Sequence, residues 1–251
     1  MKILVLLFLL VILEFVYSIY KKDGIYSRQS TKVNLINETF GVMKDFLIPN
    51  LSVIVIITYI NTKLPHLFEV PNTPIFFILG VIVLDLLYYF FHKLCHKWPA
   101  LWMFHFVHHS DTRLNLSVAF RSSWFEMMGL FVFYSFILFL GFPLSLFLSI
   151  FLFTSTYQFL THSRYIKLPK SFEWIFVTPK YHSVHHNVDM EKQNKNFGGV
   201  FSVWDRLFGT YAETVESELF GIEGYSQNNF IKIHTDPIFD FLKIRLKGLT
   251  K

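Results

Sequence analysis

The chain has 251 residues, of which 53% are hydrophobic and 16% charged, with a net charge of +5 and a mean hydropathy of +0.41. A charged fraction well below the roughly 25% of soluble proteins excludes an ordinary water-soluble domain and fits one domain or a small membrane protein. A single cysteine, Cys95, excludes an internal disulfide and a thiolate cluster, so any metal must be held by histidine, helped by carboxylate, carbonyl or water.

Residues 3–20 form an apolar run of about spanning length. A signal peptide is the competing reading. No small-x-small cleavage site follows and Lys21–Lys22 form a basic stop, so an uncleaved helix is expected. Glu14 within it is costly in lipid and should face protein. The polar stretch Lys21 to Asn37 reads as a loop or interfacial segment. A second run, about 46–62, is broken by Pro49–Asn50 and is only just long enough to span. Breakers at Pro65, Pro71 and Asn72 precede a third run, 74–91, with Asp85 its one charge. Two further runs, 127–142 and 144–160, are joined by Gly141–Phe142–Pro143, which permits only a tight hairpin. After Thr161 no spanning run remains, and the rest reads as a basic, aromatic cap.

With the N-terminus outside and spans at these five runs, all but Lys2 and Lys63 of the 23 Lys and Arg residues fall on the cytoplasmic side, as the positive-inside rule requires. The expected fold is all-α: a membrane bundle of four or five spanning helices with a cytoplasmic, histidine-rich helical cap. The expected organisation is 1–70 as N-terminal membrane helices and an interfacial segment, 71–215 as the metal-bearing domain, and 216–251 as a basic tail. The membrane is the bacterial inner membrane or the endoplasmic reticulum.

Eleven histidines occur, and nine are clustered. His92-x-x-x-His96 forms one box, His105-x-x-His108-His109 a second and His182-x-x-His185-His186 a third, with His162 between. On a helix, positions i, i+3 and i+4 share a face, so each box can aim its imidazoles the same way. In the expected topology every box lies on one side of the membrane. Imidazole suits iron, zinc, copper and nickel, and this many donors exceed one tetrahedral site. Two ions of higher coordination number use them better; two zincs remain an alternative. His66 and His234 stand alone and are expected to be ordinary surface or core residues. Cys95, between the first two ligands, is expected to be inert packing.

The boxes, their order and the flanking stretches DLLYYFFHKLCH, HHSDTRLNLSVAFR, EWIFVTPKYHSVHH and NFGGVFSVWDRLFGTY resemble the fatty acid hydroxylase/sterol desaturase superfamily over about Val81 to Thr214. YQFLTHS before TPKYHSVHH is similar to the alkylglycerol monooxygenase branch and its bacterial members. The resemblance implies a membrane non-haem di-iron oxygenase. In it His92, His96, His105, His108, His109, His182, His185 and His186 hold two iron ions, which zinc can replace in isolated protein. His162 matches a further ligand of several branches, and Asn196 and Asp205 match positions of structural or supporting role. Two departures stand out. Lys97 follows the first box where ether-lipid monooxygenases carry Glu, which weighs against a pterin-dependent ether cleavage. THSR stands at His162 where many relatives have Asn after the Ser.

The implied reaction is O2-dependent hydroxylation of a lipid C–H bond, the substrate entering from the bilayer. No G-x-G-x-x-G follows a strand and no haem stretch is fused, so electrons come from a separate reductase, cytochrome or ferredoxin, docking on the basic cap or leaving that cap to lipid headgroups. Asp85, Asp111, Asn115, Glu173 and Asn196 are candidates to accept the second N–H of a ligand histidine. The aromatic residues read as lipid-facing and core material, which excludes a nucleic-acid surface. Rival readings are a sterol or carotenoid desaturase or oxidase of the same superfamily, and a non-enzymatic membrane metal-binding or transport protein.

Overall fold

The computed structural model describes residues 2–47, 53–63, 65–214, 219–226 and 228–249. Eleven α-helices occur among them: α1 (Lys2–Lys21), α2 (Arg28–Leu47), α3 (Val53–Lys63), α4 (Pro74–Lys97), α5 (Pro99–His109), α6 (Trp124–Phe139), α7 (Leu144–Leu160), α8 (Pro179–His185), α9 (Met190–Gln193), α10 (Val203–Leu207) and α11 (Phe230–Leu249). Isolated bridges replace sheet among the described residues. The expected all-α class holds.

Two helices, α1 and α4, are long and apolar enough to cross a membrane. α6 and α7 are shorter apolar helices joined at Gly141, whose φ of +99° suits the tight hairpin. Leu67 N–H donates to Phe139 O and Val70 N–H to Gly141 O, so the α3–α4 connection packs against the hairpin tip. The core lies between α4, α6 and α7, around Leu84, Ile137, Phe147 and Ile150, all withdrawn from water. Cys95 joins this core as expected.

Three elements differ from the sequence reading. The segment read as a loop is helix α2 from Arg28 onward. Its Ser30, Asn34 and Asn37 are buried, which hid the helix because a buried polar stripe carries no apolar period. The second run is helical from Val53, and its Pro49–Asn50 break lies outside the described residues. The expected basic tail contains α11, whose Ile233 is buried against Val33 of α2 and Val107 of α5.

One corner sets up the site. Trp98 is extended (φ −102°, ψ 112°) because a residue before proline disfavours the helical region, and Pro99 then starts α5. α5 therefore folds back along the end of α4, laying the second box on the first.

Candidate metal centre

α4 continues through the first box to Lys97, past the expected end of its apolar run. Its 24 residues span about 36 Å, and the box occupies its last two turns, after the apolar stretch 74–91. α5 carries the second box, and His162 follows the C-terminus of α7. α8 carries the third box, begun by Pro179 and capped by Thr178, whose hydroxyl accepts from Tyr181 N–H.

The nine histidines form two adjoining groups. His92, His96, His105, His109 and His185 make one; His108, His162, His182 and His186 make the other; within each group the ligand atoms lie within 4.8 Å of one another. The H-x-x-H-H boxes divide between them. In α5 the i, i+4 pair His105 and His109 faces the first group and His108 the second. In the third box His182 and His186 face the second and His185 the first. The groups touch, with His109 and His186 rings 4.6 Å apart between centroids. Every box histidine and His162 thus converge, whereas His66 and His234 stand apart: His66 bonds Asn61 O, and His234 Nε2 lies 2.8 Å from Asn37 Oδ1.

The hydrogen bonds fix how the imidazoles are aimed. His92 Nδ1 donates to Phe197 O (2.9 Å) and His105 Nδ1 to Glu126 Oε1 (2.6 Å). Carbonyl and carboxylate oxygens accept only, so in the neutral rings each Nε2 is left with a lone pair. Those two Nε2 atoms face each other at 3.0 Å. The second group repeats the pattern. His108 Nδ1 donates to Arg121 O and His162 Nδ1 to Gln158 O, and their Nε2 atoms are 3.2 Å apart. His185 Nδ1 donates to Lys195 O, and its Nε2, like that of His96, is buried with no hydrogen-bond partner. Lone pairs converging without a proton between them need a cation, so the donor set fits a metal ion in each group.

The electrostatics agree. Burial pushes His105 down to about 3, and burial with neighbouring imidazoles pushes His108 and His162 down to about 3. His109, His182, His185 and His186 are driven well below the usual histidine range by the same causes. All seven are held neutral, the form that ligates metal.

The supporting groups differ from those expected. Asp85 accepts from Val200 N–H, Phe201 N–H and the Trp204 indole, and touches no histidine. Asp205 accepts from Phe197 N–H, Gly198 N–H and Thr210. Together they pin the 195–210 loop, which supplies the Lys195 and Phe197 carbonyls to His185 and His92. A Cβ at Gly199 would lie 2.7 Å from Asp85 Oδ1 and 2.6 Å from Gln158 Nε2, so only glycine lets the loop approach. Asn196, at φ +59°, bonds the Tyr181 and Ala212 backbone. Asp111 accepts from Ser30, Asn34 and the buried guanidinium of Arg121, holding the segment whose Arg121 carbonyl receives His108. Asn115 caps the 3-10 turn Leu116–Phe120, and Glu173 accepts from Thr178 and Thr214. None of these side chains bonds a histidine. The acids act one link away, through backbone carbonyls that leave no signature in a sequence. Among the described residues Glu126 is the carboxylate that bonds a histidine; its signal in the sequence is an acid at the head of an apolar run. Glu14 does face protein, accepting from Tyr26, Leu116 N–H and Ser163.

The family model described as fatty acid hydroxylase matches residues 77–210, more than half of the chain. The chain belongs to the fatty acid hydroxylase family. Among curated relatives it is 37% identical over 144 residues to an alkylglycerol monooxygenase of Danio rerio, covering 57% of this chain and 32% of that protein. Identity to the Homo sapiens alkylglycerol monooxygenase is 34% over 164 residues, covering 62% and 35%. Identity to the ornithine lipid hydroxylase OlsE of Rhizobium tropici is 32% over 135 residues, covering 53% and 41%. The chain spans about a third to two fifths of the length of these relatives. No solved structure matches it. For a fatty acid hydroxylase, the departure at Lys97 falls on an exposed position at the end of α4.

Proposed function

We propose that this protein is a membrane-bound non-haem di-iron oxygenase that hydroxylates a C–H bond of a lipid. Its overall change is R–H + O2 + 2e− + 2H+ → R–OH + H2O, with both electrons from a separate donor protein. The observation that carries the reading is the two groups of inward-facing imidazole nitrogens. In five pairs the Nε2 atoms are 3.0–3.2 Å apart. Nine imidazoles exceed what two closed tetrahedral sites would use, and the family match favours iron over zinc.

His92, His96, His105, His109 and His185 would hold one iron and His108, His162, His182 and His186 the other. When bound, the irons supply dioxygen activation. The chain supplies the rest. The Phe197, Lys195, Arg121 and Gln158 carbonyls and Glu126 fix the tautomer and plane of five rings. Trp102 and Phe197 pack on His96, restricting water. The lipid substrate arrives from the bilayer, past the apolar surface of α1, α4, α6 and α7.

The relatives' names, alkylglycerol monooxygenase and ornithine lipid hydroxylase, support a lipid substrate. The distribution of Lys and Arg supports five spans with the boxes on the cytoplasmic side, and the contact between the 65–73 connection and the α6–α7 tip supports placing both outside. The family match supports a catalytic unit at about 71–215. The test is to give purified, iron-loaded protein a chemical reductant and extracted lipid classes, then measure O2 uptake and hydroxylated product. Lipid-dependent uptake that vanishes in His108→Ala supports the reading; no uptake with any lipid class overturns it.

A further inference from the structure

A second apolar feature lies away from the histidines. A groove of about 570 Å3 runs between α1 and α2, walled by Val11, Ile12 and Phe15 on one side and a stripe of α2 on the other. No histidine lines it. The stripe reads Arg28, Lys32, Ile36, Phe40 and Met43, residues three or four apart and hence on one helix face. Charge comes first and hydrocarbon after, over about 22 Å of helix. Arg28 and Lys32 are exposed and make no ion pair among the described residues.

The two exposed cations suit an anionic group at one end of the groove. The other wall, α1, is an apolar helix of spanning length whose surface is mostly open, so the groove faces the bilayer. A site with two exposed cations at one end and an apolar trough at the other is complementary to an amphiphile with an anionic head.

We propose that the α1–α2 groove holds one bilayer lipid with a negatively charged headgroup, its head at Arg28 and Lys32 and its acyl chain along Ile36 to Met43. This site is separate from the metal centre and independent of the reaction assigned to it.

The test is native mass spectrometry of the full, iron-loaded chain released from nanodiscs of phosphatidylglycerol and phosphatidylcholine with matched acyl chains. The expected result is one retained phosphatidylglycerol per chain, preferred over phosphatidylcholine by on the order of tenfold, as two surface cations provide. Arg28→Gln with Lys32→Gln removes the preference. Ile36→Trp, which fills the trough from an exposed position, removes the adduct whatever its headgroup, with iron content unchanged in both variants. Glycerol 3-phosphate, the head without chains, does not displace the lipid. Equal retention of the two lipids by the wild type overturns the proposal without recourse to any variant. So does an adduct that survives Ile36→Trp, displacement by glycerol 3-phosphate, or a second copy of the chain in place of the lipid.

Discussion

Glu126→Ala is the most informative single change at the metal centre. Glu126 Oε1 takes the Nδ1–H of His105 at 2.6 Å, and His105 Nε2 sits 3.0 Å from His92 Nε2 and 3.1 Å from His109 Nε2. A hydrogen bond to a charged group contributes about 1.5–3 kcal/mol. That range equals roughly 10- to 150-fold in an equilibrium constant, in line with the 10- to 100-fold effect on metal affinity of removing such an outer partner. In that group His92 and His185 keep their own carbonyl partners, and the second group contains no ring bonded to Glu126. The expected outcome is therefore selective. Graded chelation of iron-loaded protein, followed by metal analysis, should strip one iron from Glu126→Ala at about 10- to 100-fold lower chelator than from wild type, the second iron staying longer. Glu126→Gln keeps an acceptor oxygen but not the charge, and should fall between. Retention identical to wild type in Glu126→Ala would refute the role given to this carboxylate.

Further outcomes follow from the same geometry. His185→Ala should abolish turnover and lower iron content together, whereas His234→Ala, which loses a bond to Asn37 worth about 1 kcal/mol and a ring contact with Phe230, should keep both; loss of iron in the His234 variant would mean the ligand set is wrong. Gly199→Ala should lower the unfolding temperature and loosen iron, because its Cβ would be driven against Asp85 and Gln158; an unchanged melt would show that the 195–210 loop can yield. For the metal-free protein the sign of the pH effect is fixed by histidines whose folded values, about 3 for His105, His108 and His162, lie below the unfolded 6.5. The unfolded chain binds more protons between those values, so stability is full above about pH 6.5 and is lost as pH falls toward 3. A thermal melt that is flat or rises from pH 7 to pH 5 would contradict this.

The histidine cluster is largely legible because the boxes are local: i, i+3 and i+4 spacing is a property of one helix. Their division into two groups was not, since it depends on how α4, α5 and α8 cross. The supporting shell was hidden for a related reason. Four of its five acceptors are backbone carbonyls, and Asp85 and Asp111 act by placing those carbonyls. Of the apolar runs expected to span, α1 and α4 are long enough to cross a membrane, and α6 and α7 are shorter apolar helices. α2 was missed because its inward face is Ser30, Asn34 and Asn37, satisfied by Asp111, Ser117 and the Phe120 and Ser122 carbonyls. Polar residues with such partners look like loop when the partners lie some eighty positions away.

The central claim is that nine imidazoles from distant parts of the chain grip two irons side by side. Iron quantification and Mössbauer spectroscopy of the protein purified from iron-57 medium address it directly. The expected result is two irons per chain in nitrogen-rich environments, the iron content falling when His109, of the first group, or His186, of the second, is changed to alanine. A single iron per chain, or iron retained at wild-type levels in both of those variants, would contradict it.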